Sequence, residues 1–171
     1  MAQVMLKIKT VAFSLLVLAL LTDFSEQQPA ENTCRVNWVR LDGSCYKFGR
    51  EMMTWQDAAS MCRLSGGYLA EINTAEENTL IVNQIRTIHT SFYDHVGSHW
   101  IGSTDMFREG SWNWFSNDGW IGPFRNWAPG QPDNAGGIEH CLEIRPAFDY
   151  KWNDYMCRIK NLFVCETRKA V

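Results

Sequence analysis

Gln131-Pro132-Asp133-Asn134, then Glu139, then Trp152-Asn153-Asp154 form an unusually dense set of oxygen donors. Asp133, Glu139 and Asp154 offer carboxylates, and Gln131 and Asn153 offer amide carbonyls. Calcium is a hard cation that takes about 6–8 oxygens from carboxylates, amide carbonyls and water. Five side chains of that kind leave room for two or more outside oxygens, which a vicinal diol can supply. Taken singly the pieces say little: Gln-Pro-Asp is a common turn tripeptide, and Trp-Asn-Asp more often marks a buried ring followed by a polar turn. Their joint occurrence, with cysteines at 141, 157 and 165 nearby, points to a calcium site with one open face.

Other chemistries fit less well. The six cysteines stand at positions 34, 45, 62, 141, 157 and 165. An even number in an exported chain implies three bridges and leaves fifteen pairings open. No Cys-x-x-Cys or His-x-x-x-His pair lies beside them in finger spacing, which sets zinc aside. His95 and His99 are four apart, but in a Gly/Ser-bearing stretch without helical pattern, so they are read as loop histidines. His140 beside Cys141 invites a thiol nucleophile, yet a bridged sulfur has no thiolate to offer. The paired carboxylates are explained by calcium, and the chain is read as non-enzymatic. The formal net charge is −3 and there is no Lys/Arg stripe, so nucleic acid is not an expected partner.

The elements that must position these residues can be placed in outline. Lys7 and Lys9 precede an apolar run from Val11 to Leu21, and polar residues follow it. That is the form of a secretory signal peptide, expected over residues 1–25 with the cut between about 19 and 30. A membrane-crossing helix needs about 20 apolar residues, more than this run holds. Its removal takes away Lys7, Lys9 and Asp23, changing the net charge from −3 to −4. The mature protein is expected to be secreted and extracellular, without membrane insertion. Thr54 and Asp57 open a helix whose apolar face is Trp55, Ala58, Ala59, Met61, Cys62 and Leu64, and Gly66 and Gly67 stop it. Thr74 and Glu77 have the form of a capping box for a second helix through Leu80, Ile81, Ile85 and Ile88. From Gly97 to Gly137 no helical period survives; a long irregular stretch inside one domain is usually functional, because ordering it costs entropy. Strands are expected at Ser44–Phe48, His99–Ile101, Cys141–Ile144 and Phe163–Glu166. The outline is α+β: one domain over residues 34–167, two helices, small antiparallel sheets and a long loop region.

Several motifs together resemble the C-type lectin domains. They are Trp100-Ile101-Gly102, Glu109-Gly110-Ser111-Trp112-Asn113-Trp114, Trp127, Gln131-Pro132-Asp133, Glu139-His140-Cys141, Trp152-Asn153-Asp154-Tyr155-Met156-Cys157 and Phe163-Val164-Cys165-Glu166. The resemblance implies the pairings Cys34–Cys45, Cys62–Cys165 and Cys141–Cys157, and a cis peptide at Pro132. It implies a principal site, binding both calcium and carbohydrate, at Gln131, Asp133, Glu139, Asn153 and Asp154. An auxiliary calcium site maps onto Asp105, Glu109, Asn134 and a shared Glu139, where Asn134 replaces a usual acid and weakens it.

In that family an acid-then-amide order around the proline resembles mannose binders, and Gln-Pro-Asp resembles galactose binders. A coordinated hydroxyl donates to an acid and accepts from an amide, so exchanging the two favours a different hydroxyl arrangement. Galactose-type sites usually also stack a ring on the sugar just after the motif. Here that place holds Ala135, unless Trp120, Phe124, Phe148 or Tyr150 folds over; the motif leans to galactose-type glycans, with broad or dual galactose and mannose specificity as the alternative. The run from Trp127 to Cys141 further resembles the perlucin-like proteins of the molluscan shell matrix, which implies calcium carbonate and matrix polysaccharide or glycoprotein as partners. The alternative is an innate-immune lectin for microbial glycans. No acidic tract is present to bind mineral by charge density alone.

Overall fold

Thr54 starts the first helix, α1 (Trp55–Leu64), as the sequence predicts: its hydroxyl accepts from the Asp57 amide at 3.3 Å and donates to the Asp57 carboxylate at 2.7 Å. Trp55, Ala58, Ala59 and Cys62 form the buried face. The helix ends where Gly66 turns to a φ of +82°, a left-handed conformation that suits glycine. The second helix, α2 (Ala75–Ile88), buries Ile81, Val82 and Ile85. Thr74 Oγ1 accepts from the Glu77 amide at 3.1 Å, and Glu77 Oε2 reaches back to the amide of Asn73 at 2.8 Å. The box is thus shifted by one residue from its usual reciprocal form.

The computed structural model describes residues 34–88, 97–117 and 119–168, which fall in one compact unit. The signal peptide expected at residues 1–25 and the loop histidine His95 lie outside these residues. Among the described residues no helix is long and apolar enough to cross a membrane.

Strands β1 (Val39–Leu41) and β2 (Ser44–Phe48) make a hairpin, and β2 pairs antiparallel with β9 (Leu162–Thr167), so the two ends of the domain close on each other. The short β3 (Tyr68–Leu69) also joins β9. Strand β4 (His99–Thr104) runs parallel to β9 and carries β5 (Asn113–Trp114), which carries β6 (Gly119–Trp120). The last hairpin, β7 (Cys141–Arg145) with β8 (Lys151–Tyr155), hangs from β4 through β7. The α+β outline holds, with three differences. Strand β4 runs on to Thr104; β5 and β6 order part of the stretch expected to be irregular; and Trp152-Asn153-Asp154 lies mid-strand, in a strand absent from the expected set. The cause in the last case is pairing, since Ile144, Glu143 and Leu142 face those three residues in β7.

One apolar cluster gathers Trp55, Trp100, Phe163 and the Cys62–Cys165 bridge; the other gathers Ile81, Ile85, Ile101, Leu142, Ile144, Trp152 and Val164. The bridges are Cys34–Cys45, Cys62–Cys165 and Cys141–Cys157, spanning 11, 103 and 16 residues. In the loop-closure account a span near 100 residues stabilises by about 4–5 kcal/mol and one near 15 by about 3 kcal/mol.

Candidate metal centre

The loop that bears Gln131 is tied to β8 by backbone. The Ala128 amide donates to Trp152 O and the Trp152 amide to Asn126 O, both at 2.8 Å, and the Gln131 amide then turns back to Ala128 O at 2.9 Å. The Gln131–Pro132 peptide is cis. Asn134 follows at φ 43°, a left-handed conformation that asparagine tolerates better than most residues. A 3-10 turn at Ala135–Gly137 then carries the chain to Glu139.

These turns bring carboxylate oxygens of Asp133, Glu139 and Asp154 within 4.8 Å of one another. Oxygens on opposite sides of a calcium ion with bonds of about 2.4 Å would lie about 4.8 Å apart. Asp154 sits in β8 and is fully buried, and its two oxygens accept from the amides of Asp133 (3.2 Å) and Asn134 (2.7 Å). Burial raises the Asp154 carboxyl above the usual range, against the pull of those amides. Burial likewise raises Glu139, and the charges of Asp154 and Asp133 push it further up while Arg145 opposes them. Three acids with mutual repulsion, two of them buried and Asp133 exposed, are suited to a cation reached from solvent.

The two amides complete the set. Gln131 Oε1 is buried and has no hydrogen-bond partner among the described residues, a costly arrangement for a carbonyl unless another group approaches it. Asn153 Nδ2 donates to Glu143 Oε1 at 3.0 Å and to Asp154 O at 2.6 Å, so its carboxamide oxygen is the donor left over. The donor set is all oxygen, and it fits calcium.

Glu143 is the residue the sequence did not single out. It is buried, it accepts from Asn153, from Asn161 Nδ2 at 2.7 Å and from Arg145 at 3.3 Å, and burial pushes its carboxyl up to about 7. The available signal was a charge on an inward-facing position of a strand flanked by Leu142 and Ile144.

The residues of the auxiliary set are arranged differently. Asp105 and Glu109 meet His140, whose Nδ1 lies 3.1 Å from Asp105 and 3.4 Å from Glu109. Asn134 Nδ2 donates to Glu109 Oε2 at 2.6 Å and its Oδ1 accepts from the Glu139 amide at 3.0 Å. Both ends of that amide are therefore engaged, and the Glu139 carboxylate belongs to the other cluster. Of the rings considered as sugar platforms, Phe124 packs edge-on against Trp152 and Tyr150 packs against the core under Arg86. Trp120 is exposed with Arg125 over it, and Phe148 lies at the surface beneath Arg145.

The raised carboxyls set a pH prediction. Glu143 and Glu166 both move from 4.5 to about 7 in the fold, and Glu139 and Asp154 shift the same way. Groups held more basic in the fold keep protons that the unfolded chain releases. The stabilisation from Glu143 and Glu166 is complete below the ordinary carboxyl range and is lost as pH rises through about 7. Without calcium, the melting temperature should rise as pH falls from 7.5 to 5. With 10 mM calcium the gain should run the other way, about 1–3 kcal/mol at pH 7.5 and smaller at pH 5, because protons compete for the raised carboxyls of Glu139 and Asp154. Equal calcium stabilisation at both pH values would contradict this.

Comparison with known proteins gives the family. The Lectin C-type domain matches residues 51–167. Mouse asialoglycoprotein receptor 2 is 39% identical over 150 residues, covering 85% of this chain and 46% of the receptor. Perlucin of Haliotis laevigata is 38% identical over 137 residues, covering 80% of this chain and 84% of perlucin. The structure matches the mouse scavenger receptor C-type lectin carbohydrate-recognition domain with a TM-score of 0.68 at 34% identity, over 81% of this chain and 99% of that one. The chain spans less than half the length of the asialoglycoprotein receptors it matches. It belongs to the C-type lectin domain family, whose members are carbohydrate-binding domains and not enzymes.

Proposed function

We propose that this C-type lectin domain is secreted and binds glycans through one calcium ion held by Gln131, Asp133, Glu139, Asn153 and Asp154. The observation that carries the reading is the all-oxygen cluster, with its repelling acids, two of them buried, and a buried Gln131 carbonyl that has no hydrogen-bond partner among the described residues. When bound, calcium supplies Lewis acidity that holds two neighbouring sugar hydroxyls. The residues do the rest: carboxylates accept hydrogen bonds from the hydroxyls, the Gln131 carboxamide N–H groups donate to their lone pairs, and Asn153, with both N–H groups engaged, offers the ion its oxygen. The amides of Asp133 and Asn134 fix Asp154, and Glu143 fixes Asn153. A second ion at Asp105, Glu109, Asn134 and Glu139 is disfavoured by the engaged Asn134 amide and by His140 between the two acids. The Gln-Pro-Asp order favours galactose-type diols, and the absence of a ring after the motif broadens the choice to mannose-type ones.

Removal of residues 1–25 as a signal peptide completes the secreted reading, leaving a lectin domain over 34–167. The similarity to perlucin over most of both chains favours a shell-matrix role beside calcium carbonate and matrix polysaccharide or glycoprotein. A single shallow diol site gains little area, so avidity would come from fixing many copies in a matrix. The test is a glycan array run with calcium and again with excess chelator, together with localisation of the protein. Galactose-rich or mannose-rich spots that vanish with chelator, and protein in decalcified shell or its secreting epithelium, are expected. Binding that survives chelator would overturn the calcium reading. Confinement to circulating cells or gut would replace the matrix role with recognition of microbial glycans.

A further inference from the structure

Beside the five-residue cluster, the β7–β8 hairpin carries two cations that a neutral diol does not require. Register sets Arg145 opposite Lys151, two residues along from the pair Glu143 and Asn153. Residues two apart on a strand share a face and lie about 7 Å from each other. The cations therefore stand on the face that presents Asn153. One carboxylate oxygen joins the two places: Glu143 Oε1 accepts from Asn153 Nδ2 at 3.0 Å and from Arg145 Nη1 at 3.3 Å.

The Arg145 guanidinium is also fixed by rings, with Cζ 4.8 Å from the centroid of Phe148 and 5.4 Å from that of Tyr155. A guanidinium has five N–H donors. Its bond to Glu143 occupies one of them, and the side chain is 32% exposed. A guanidinium held by stacking and one anchor loses little freedom when it receives an anion. Service as counter-ion to buried Glu143 explains why an arginine is present. It does not explain why the side chain stays partly exposed with further N–H donors beyond the bond to Glu143, nor a second cation at Lys151, which forms no ion pair among the described residues.

We propose that Arg145 and Lys151 form a subsite for an anionic substituent, a sulfate or a carboxylate, on the sugar held at the neighbouring diol site. The inference rests on the diol-binding function proposed above. It narrows the ligand from neutral glycans to acidic ones, with calcium anchoring the hydroxyls and the hairpin cations reading the charge.

The experiment measures the affinity of the full chain, in calcium, for galactose, galactose 6-sulfate and galacturonic acid at low and high salt. The same set is run on Arg145→Gln, Lys151→Gln and the double variant. The readout is the ratio of anionic to neutral affinity within each protein, so a general loss of binding does not count. The wild type should favour at least one anionic sugar by about tenfold, as charge-assisted hydrogen bonds allow, and the ratio should shrink with salt. It should fall in Lys151→Gln, which leaves the Glu143 contacts in place, and approach one in the double variant. Preference for sulfate alone or carboxylate alone would identify the natural acid. A wild-type ratio near one, with galactose bound normally, would overturn the subsite and leave the diol site standing. A high ratio unchanged in both Lys151→Gln and the double variant would also overturn it. Failure of all three sugars to bind in a calcium-dependent way would remove the diol function, and the subsite with it.

Discussion

Asp154→Ala should lose calcium-dependent sugar binding by roughly 100-fold or more while the domain stays folded, a loss larger than the 10–100-fold typical of residues outside the ligand shell. The carboxylate serves twice. It is one of three acids whose oxygens converge within 4.8 Å, and it accepts the amides of Asp133 and Asn134, which hold the loop against β8. Alanine removes a charge from the cluster and frees the loop at once. The fold should survive because the three bridges and both apolar clusters lie outside the change. It also removes repulsion on Glu139, which offsets part of the stability lost with the two amide bonds in the calcium-free variant. Extracellular modules of this kind bind calcium at about 10⁻⁴–10⁻³ M, and titration calorimetry over that range should show heat for the parent and none for the variant. Retention on a galactose or mannose column in excess chelator, by either protein, would sink the assignment of these residues.

Trp152→Ala should be the most destabilising single core change at the site, at about 3–5 kcal/mol. In a domain of this size that lowers the melting temperature by roughly 10–20 °C. Trp152 is fully buried and meets Trp114, Phe124 and Trp127 edge to face, with centroids at 6.4, 5.6 and 5.9 Å. Its Nε1 donates to Asn78 Oδ1 on α2 at 3.2 Å, so the ring joins the helix to the last hairpin. It also precedes Asn153 and Asp154, so calcium affinity should fall together with stability. Trp120→Ala supplies the contrast: that ring is 63% exposed, and its loss should change stability by no more than about 0.5 kcal/mol. Similar melting temperatures for the two variants would show that the aromatic cluster does not organise the site.

Composition and local spacing settled a good part of this protein. Thr54 with Asp57 and Thr74 with Glu77 marked both helix starts, because a cap is a contact between residues three apart and needs nothing distant. The donor types at Gln131, Asp133, Glu139, Asn153 and Asp154 were legible because calcium selects by atom type. Motif resemblance, more than spacing, pointed to the family and to the bridge partners.

Tertiary structure decided which donor meets which. Asn134 and Glu139 are five residues apart in one loop, yet Asn134 turns to Glu109 while Glu139 turns to Asp133 and Asp154. That division follows from the amide–Asp154 bonds across to β8, a contact between residues about twenty apart in sequence. Trp152-Asn153-Asp154 stood outside the expected strands because its composition is equally that of a ring followed by a polar turn; pairing with β7 made it the middle of a strand, since backbone pairing across a hairpin outweighs local propensity. Glu143 could be read as an ordinary strand charge until burial placed it under Asn153 and Arg145. Its role is long-range by nature: a carboxylate without solvent needs partners, and folding alone determines which donors come within reach.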